Sequence, residues 1–253
     1  MFMSHRKRTA ARESSVGETV KVIIHALILA FIVRTFLYQP FNIPSGSMKE
    51  TLLVGDYLFV SKFSYGYTHF SLPFSPPLFE GRIWGEEPKR GDVVVFKLPR
   101  DNETDYIKRL IGLPGDKIQV VDGVLHINGA AVPRQRVDDF VSTSPGGTVT
   151  RVARYRETLP NGVSYYVLDL VPDGFNDNTQ VYTVPPGHYF MMGDNRDNST
   201  DSRVLSQVGY VPFENLIGRA DIIFFSIEEG AHFWQFWKWP WSIRAGRMFS
   251  LVN

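Results

Sequence analysis

Lys117-Ile118-Gln119-Val120-Val121-Asp122-Gly123-Val124-Leu125-His126-Ile127-Asn128-Gly129 decides the fold class. Two runs rich in β-branched residues flank Asp122-Gly123, a pair that accepts the positive φ angles of a two-residue hairpin turn, and Asn128-Gly129 signals a second turn. Working outward, Asp92-Val93-Val94-Val95-Phe96 and Tyr57-Leu58-Phe59-Val60 read as further strands. No amphipathic helix interrupts them, which argues against a doubly wound parallel sheet and for a mainly β domain. Residues 122–185 are more polar, with Ser142-Thr143-Ser144-Pro145-Gly146-Gly147 and Asp173-Gly174-Phe175-Asn176-Asp177-Asn178, and read as a β subdomain inserted into a catalytic β domain of residues 39–121 and 186–230.

The amino end differs in kind. Up to Lys21 the basic residues Arg6, Lys7, Arg8, Arg12 and Lys21 face only Glu13 and Glu18, a charge of +3 within a chain whose net charge is +1. Next comes VKVIIHALILAFIVRTFLY, Val20–Tyr38, which as a helix would span about 28 Å, close to the thickness of a bilayer core. Lys21 and Arg34 flank its uncharged part at positions from which long side chains reach headgroups. A buried helix of a soluble protein and a cleaved secretory signal are the alternatives; no small-x-small site follows the run, which disfavours the second. The expectation is a basic cytoplasmic segment over 1–19, one transmembrane helix over 20–38, and everything beyond on the far side of the membrane, by the positive-inside rule.

Two aromatic stretches stand out. Phe63–Phe79 carries Tyr65, Tyr67, Phe70, Phe74 and Phe79 with Pro76 and Pro77 and reads as an extended apolar loop. Phe233-Trp234-Gln235-Phe236-Trp237-Lys238-Trp239-Pro240-Trp241 holds four of the chain's five tryptophans. Tryptophan favours a membrane interface, so residues 231–253 read as a membrane-proximal tail, with a core or dimer patch as the other reading.

Composition narrows the chemistry. The 27 basic and 26 acidic residues leave no field that would collect nucleic acid, and the absence of cysteine removes thiol catalysis and thiolate metal sites. His5, His25, His69, His126, His188 and His232 show no ligand spacing, so no metal or other cofactor is expected. No G-x-S-x-G elbow occurs. What remains is Pro40-Phe41-Asn42-Ile43-Pro44-Ser45-Gly46-Ser47-Met48, two serines around a glycine in a proline-framed turn, suited to an exposed nucleophile beside oxyanion donors.

With Asp105-Tyr106-Ile107-Lys108-Arg109-Leu110-Ile111-Gly112-Leu113-Pro114-Gly115-Asp116, Arg90-Gly91-Asp92-Val93-Val94-Val95-Phe96 and Gly193-Asp194-Asn195-Arg196-Asp197-Asn198-Ser199-Thr200-Asp201-Ser202-Arg203, this segment resembles the boxes of bacterial type I signal peptidases. These are membrane-anchored Ser/Lys endopeptidases that remove secretory signal peptides. The resemblance runs in the family's order from the anchor to about Ser226, and implies a signal-peptidase-like β fold.

It further implies that Ser47 is the nucleophile and Lys108 the general base, that Ser45 joins the Ser47 N–H in the oxyanion hole, and that Ser199 orients the lysine. Asp194, Arg196, Asp201 and Arg203 would brace the loop. Phe41, Ile43, Met48, Leu52, Tyr106 and Ile107 would line shallow pockets for small side chains. Some members have two membrane spans, whereas this chain has room for one before Ser47.

A free lysine is neutral only about once in 2,500 at pH 7, so the base must have its pKa lowered to about 8 by burial, which Tyr106, Ile107, Leu110 and Ile111 could supply. The partners implied are the signal peptides of preproteins and the phospholipid bilayer, with the catalytic domain outside the cytoplasm of a bacterium. A Ser/Lys processing protease with another target, and a non-enzymatic membrane-anchored binding protein, are the competing readings.

Overall fold

The computed structural model describes residues 5–143, 147–231 and 234–252. Ser144, Pro145 and Gly146 of the polar turn, and His232 and Phe233 of the tail, lie outside them. Helix α1 (His5–Ile32) takes in most of the basic head as well as the apolar run, and a single π turn, Val33–Leu37, closes it. Val16–Leu37 is long and apolar enough to cross a bilayer, with a mean hydropathy of 2.2. Every residue from Val16 to Ile32 is exposed. A core helix of a soluble protein would hide such a face, so this one fits membrane anchoring.

The helical run ends at Leu37, one residue short of the expected boundary at Tyr38. Tyr38 already belongs to strand β1 (Tyr38–Asn42), paired antiparallel with β2 (Asp56–Ser61). Pro40 explains the switch: it cannot extend a helix, it pushes the residue before it toward extended backbone, and an edge strand tolerates its missing N–H.

The remaining strands are β3 (Val93–Lys97), β4 (Asp105–Gly112), β5 (Lys117–Val121), β6 (Val124–Ile127), β7 (Ala130–Ala131), β8 (Arg134–Arg136), β9 (Phe140–Thr143), β10 (Val149–Thr158), β11 (Ser164–Asp169), β12 (Tyr182–Thr183), β13 (His188–Met192), β14 (Val211–Pro212), β15 (Leu216–Ser226) and β16 (Ser250–Leu251). The chain is mainly β, as its sequence predicts. One sheet runs β1-β2-β15-β3-β4-β13-β14, with β16 also pairing β15; β11-β10-β8 with β9, and β12-β5-β6-β7, form two smaller sheets.

The expected Asp122-Gly123 hairpin is present: Val121 pairs with Val124, and Asp122 and Gly123 have φ of 48° and 73°. Position 122 therefore falls inside the β5–β6 turn. One apolar cluster joins Ile111, Phe190 and Met192 of the large sheet to Ile118, Leu125 and Val167 of the smaller ones and to Val132 and Leu159 beside them, so residues 122–185 share a core with what flanks them. A second cluster, Ile43, Met48, Leu52, Leu58, Val60, Val93, Val95 and Ile223, lies beneath the serine turn.

The Phe63–Phe79 stretch is irregular apart from a 3-10 turn at His69–Ser71 and a β-bridge from Tyr67 to Ile83, and leaves Phe74 and Leu78 exposed. The tail forms a 3-10 turn at Phe236–Lys238 and a short helix α2 (Trp239–Ser242), with Trp234, Phe236, Trp237 and Trp241 exposed.

Candidate active site

Ser45 is extended, and Gly46-Ser47-Met48 then closes a 3-10 turn with Lys49 N–H donating to Gly46 O at 3.0 Å. Asn195 holds the turn from the other side: its backbone N–H donates to Ser47 O at 3.0 Å and its side-chain amide to Gly46 O at 2.9 Å. Met48, fully buried in the core below, anchors the turn and leaves the Ser47 hydroxyl at its rim.

Lys108 arrives from β4. Its Nζ donates to Ser47 Oγ at 2.7 Å and to Ile107 O at 2.9 Å, and lies 5.2 Å from the centre of the Tyr106 ring. The residue is 3% exposed. Burial pushes its pKa down from 10.5 to about 8, against the opposing pull of the Asp201 and Asp194 carboxylates. The value is the one a lysine base needs.

Burial alone would not single it out. Lys62 is equally buried and is also lowered to about 8, by desolvation and then by Arg34, but its Nζ is committed to Ser71 O at 2.5 Å. Lys108 instead meets a serine hydroxyl.

Both residues open onto a cleft of about 500 Å³ lined by Phe41–Ser47 on one side and Val95 and Thr104–Lys108 on the other, with Asn198 and Thr200. Along Asp105–Lys108, β4 pairs with β3, whereas β13 joins it only from Arg109 onward. The cleft is thus bordered by β1 and a half-free β4, each an edge that can accept an extended peptide. Phe41, Ile43, Tyr106 and Ile107 line this space. Met48 and Leu52 lie under its wall, both with no exposed surface.

Ser45 Oγ is 3.3 Å from Ser47 Oγ, near enough to meet an oxygen developing beside it. Ser199 is buried against Gly193, where a Cβ would come within 2.3 Å of Ser199 Oγ and 2.6 Å of Ser47 O. Only glycine permits this approach of the loop to the serine turn. The Ser199 hydroxyl faces the Asp201 carboxylate without completing a hydrogen bond of normal geometry.

Four charged residues of the 193–203 loop, Asp194, Arg196, Asp201 and Arg203, are buried; the first two find their counter-charges outside the loop and the last two pair with each other. Asp194 receives Arg109 in a two-point pair, Nε to Oδ1 at 2.9 Å and Nη2 to Oδ2 at 2.8 Å, and accepts Thr51 Oγ1 at 2.6 Å. Burial works against the Arg109 charge, but Asp194 more than offsets it and the guanidinium pKa ends above its usual value. Arg196 pairs with Glu157 of β10, whose carboxylate also accepts Tyr165 OH at 2.8 Å. Asp201 pairs with Arg203 at 2.9 Å and accepts the Gly193 N–H at 3.0 Å; desolvation raises its pKa, but Arg203 prevails and it sits below the usual carboxylate range.

Sequence reasoning missed Arg109, Thr51, Asn195 and Glu157. Arg109 entered only as the neighbour of Lys108, although alternation along a strand turns it to the opposite face. One further acidic group, Asp169, Asp177 and Asp197, has carboxylate oxygens within 4.8 Å of one another. Its oxygens already serve Arg134 and the N–H groups of Leu170, Val171 and Gly174.

Residues 16–225 match the family model described as signal peptidase, peptidase S26. The signal peptidase I of Rickettsia conorii is 48% identical over 208 residues, covering 79% of this chain and 76% of that protein. The enzyme of the same name from Rickettsia massiliae is 45% identical over 231 residues, covering 87% and 85%. A crystal structure of a signal peptidase I from Enterococcus faecalis V583 is 29% identical and covers 53% of this chain and 97% of its own, with a TM-score of 0.31, too low to bear on the fold. The matched stretch contains both walls of the cleft and the whole of the buried charge network, and on this ground the binding-protein reading falls away: the chain belongs to the signal peptidase family, peptidase S26, and is a serine endopeptidase.

Proposed function

We propose that this endopeptidase cleaves the signal peptides of exported preproteins after a small-x-small site, with Ser47 as nucleophile and neutral Lys108 as general base. The observation that carries the reading is the 2.7 Å contact between Lys108 Nζ and Ser47 Oγ in a desolvated cleft. Neutral Lys108 takes the Ser47 proton as Oγ attacks the scissile carbonyl, and the oxyanion is met by the Ser47 N–H and Ser45 Oγ. Protonated Lys108 then gives the proton to the leaving amine, and an acyl-enzyme on Ser47 remains. A water deprotonated by Lys108 releases the signal peptide and restores the serine.

Ser199 is the residue assigned to orient the lysine, although its hydroxyl makes no hydrogen bond to Lys108 before substrate binds. In the division of labour proposed here, residues 39–121 and 186–230 carry the chemistry. Residues 122–185 brace it, chiefly through Glu157 on Arg196. The tail of 231–253, with its exposed tryptophans, rests on the outer face of the membrane. The N-terminus is cytoplasmic and the cleft faces away from the cytoplasm.

Geography supports the substrate class. Ser47 lies nine residues beyond Tyr38, where the anchor has just given way to β1. A signal peptide presents its cleavage site just beyond its apolar segment, at a similar depth. Walls made of Phe41, Ile43, Tyr106 and Ile107 leave room for short side chains. A synthetic preprotein ending its signal in Ala-x-Ala is expected to be cut after the second alanine. Changing that alanine to leucine should lower kcat/KM by at least about 100-fold, the scale of misplacing a scissile bond by an ångström. Equal rates on both substrates would rule out the small-residue specificity.

A further inference from the structure

Glu50, the third residue after Ser47, has a φ of 95°. A side chain other than glycine seldom adopts that backbone, and it persists where the surroundings impose it. The surroundings here belong to residues 122–185. Arg154 of β10 donates from Nη1 to Glu50 Oε1 at 3.0 Å, and both side chains are largely withdrawn from solvent. Arg154 is itself fixed: its Nε donates to Asp138 O at 3.0 Å, and its guanidinium lies 5.1 Å from the Tyr166 ring centre. The preceding residue is held by the same sheet, with Lys49 Nζ 5.6 Å from the Phe140 ring centre.

We propose that Arg154 is a positioning residue: by pinning Glu50 in a strained turn, it fixes the backbone that carries Ser47 at its distance from Lys108. The path is short. Lys49 N–H closes the turn on Gly46 O, Leu52 N–H donates to Met48 O at 2.8 Å, and Thr51 is tied to Asp194. A rotation at Glu50 would therefore be felt within three residues, at the Ser47 hydroxyl. Neither Arg154 nor Glu50 borders the cleft, so neither meets substrate there. The inference rests on the reading of Ser47 as nucleophile.

The test uses the full-length enzyme in detergent and the Ala-x-Ala preprotein. Arg154→Gln is expected to lower kcat about tenfold with little change in KM, since it shifts the nucleophile and leaves the substrate pockets alone. Glycine adopts a φ of 95° without steric cost, so Arg154→Gln/Glu50→Gly should recover most of that loss. Glu50→Ala, which leaves the rest of the β10 sheet untouched, keeps the strain but loses the pin. It should match the defect, and Glu50→Gly should exceed it about tenfold in kcat.

A purely structural role for Arg154 predicts a double variant as slow as the single one, and Glu50→Ala equal to Glu50→Gly. Either result overturns the proposal, as does unchanged kcat in Arg154→Gln. Ser47→Ala, measured alongside, separates the two levels. Cleavage persisting there removes the nucleophile assignment itself, whereas an inactive Ser47→Ala with unrescued Arg154→Gln removes only the pin.

Discussion

Lys108→Met is expected to cleave preprotein at least about 10³-fold more slowly than wild type while remaining folded. Methionine matches the lysine stem in length and leaves Ser47 without a proton acceptor, and loss of a nucleophile's partner base costs on this scale. Stability should depend on pH through the same group. The native pKa of about 8 lies below the ordinary 10.5. Between those values the unfolded chain therefore binds more protons than the folded one, and wild-type stability rises with pH. Relative to Lys108→Met, wild type should gain about 3 kcal/mol between pH 8 and 10.5, and the difference should be flat below pH 8. Denaturant titrations of both proteins at pH 7, 9 and 10.5 check this. A difference that does not change with pH would mean that Lys108 keeps an ordinary pKa.

The second large effect is structural. Arg109→Met should cost about 3–5 kcal/mol, because it strands the Asp194 carboxylate in the interior and takes a donor from Gly91 O and from Thr51. A domain holding roughly 5–15 kcal/mol in all loses much of its margin by that change. Arg219→Met, at the half-exposed pair with Asp221, serves as the contrast and should cost under about 1 kcal/mol, since solvent screens that pair. Midpoints of urea unfolding for the two variants decide it, and equal shifts would show that burial of the Arg109–Asp194 pair carries no special weight.

These two sites differ in how far the sequence reveals them. The Asp122-Gly123 hairpin and the anchor could be read because their causes are local: positive φ in two adjacent turn residues, and an unbroken apolar run. The serine and lysine could be named because their surroundings match a known family's boxes. Their separation of 2.7 Å could not, since the two lie 61 positions apart in the chain.

The bracing network is harder still. Arg196 finds its counter-charge in Glu157, and Asp194 in Arg109, so the pairs that hold the loop are made across sheets. The aspartates and arginines within the loop give no sign of this, apart from Asp201 and Arg203, two residues apart. Met48 and Leu52 show a related difficulty. Their place beside Ser47 suggests a pocket wall, but the 3-10 turn at Gly46–Met48 directs them into the core, where they support the wall from beneath.

A buried, neutral lysine that activates Ser47 should leave its titration in the pH dependence of kcat/KM on the Ala-x-Ala preprotein. The rate is expected to rise tenfold per pH unit below a midpoint near 8 and to level above it, following deprotonation of Lys108. A rate independent of pH from 6 to 9, or the same profile retained by Lys108→Met, would contradict it.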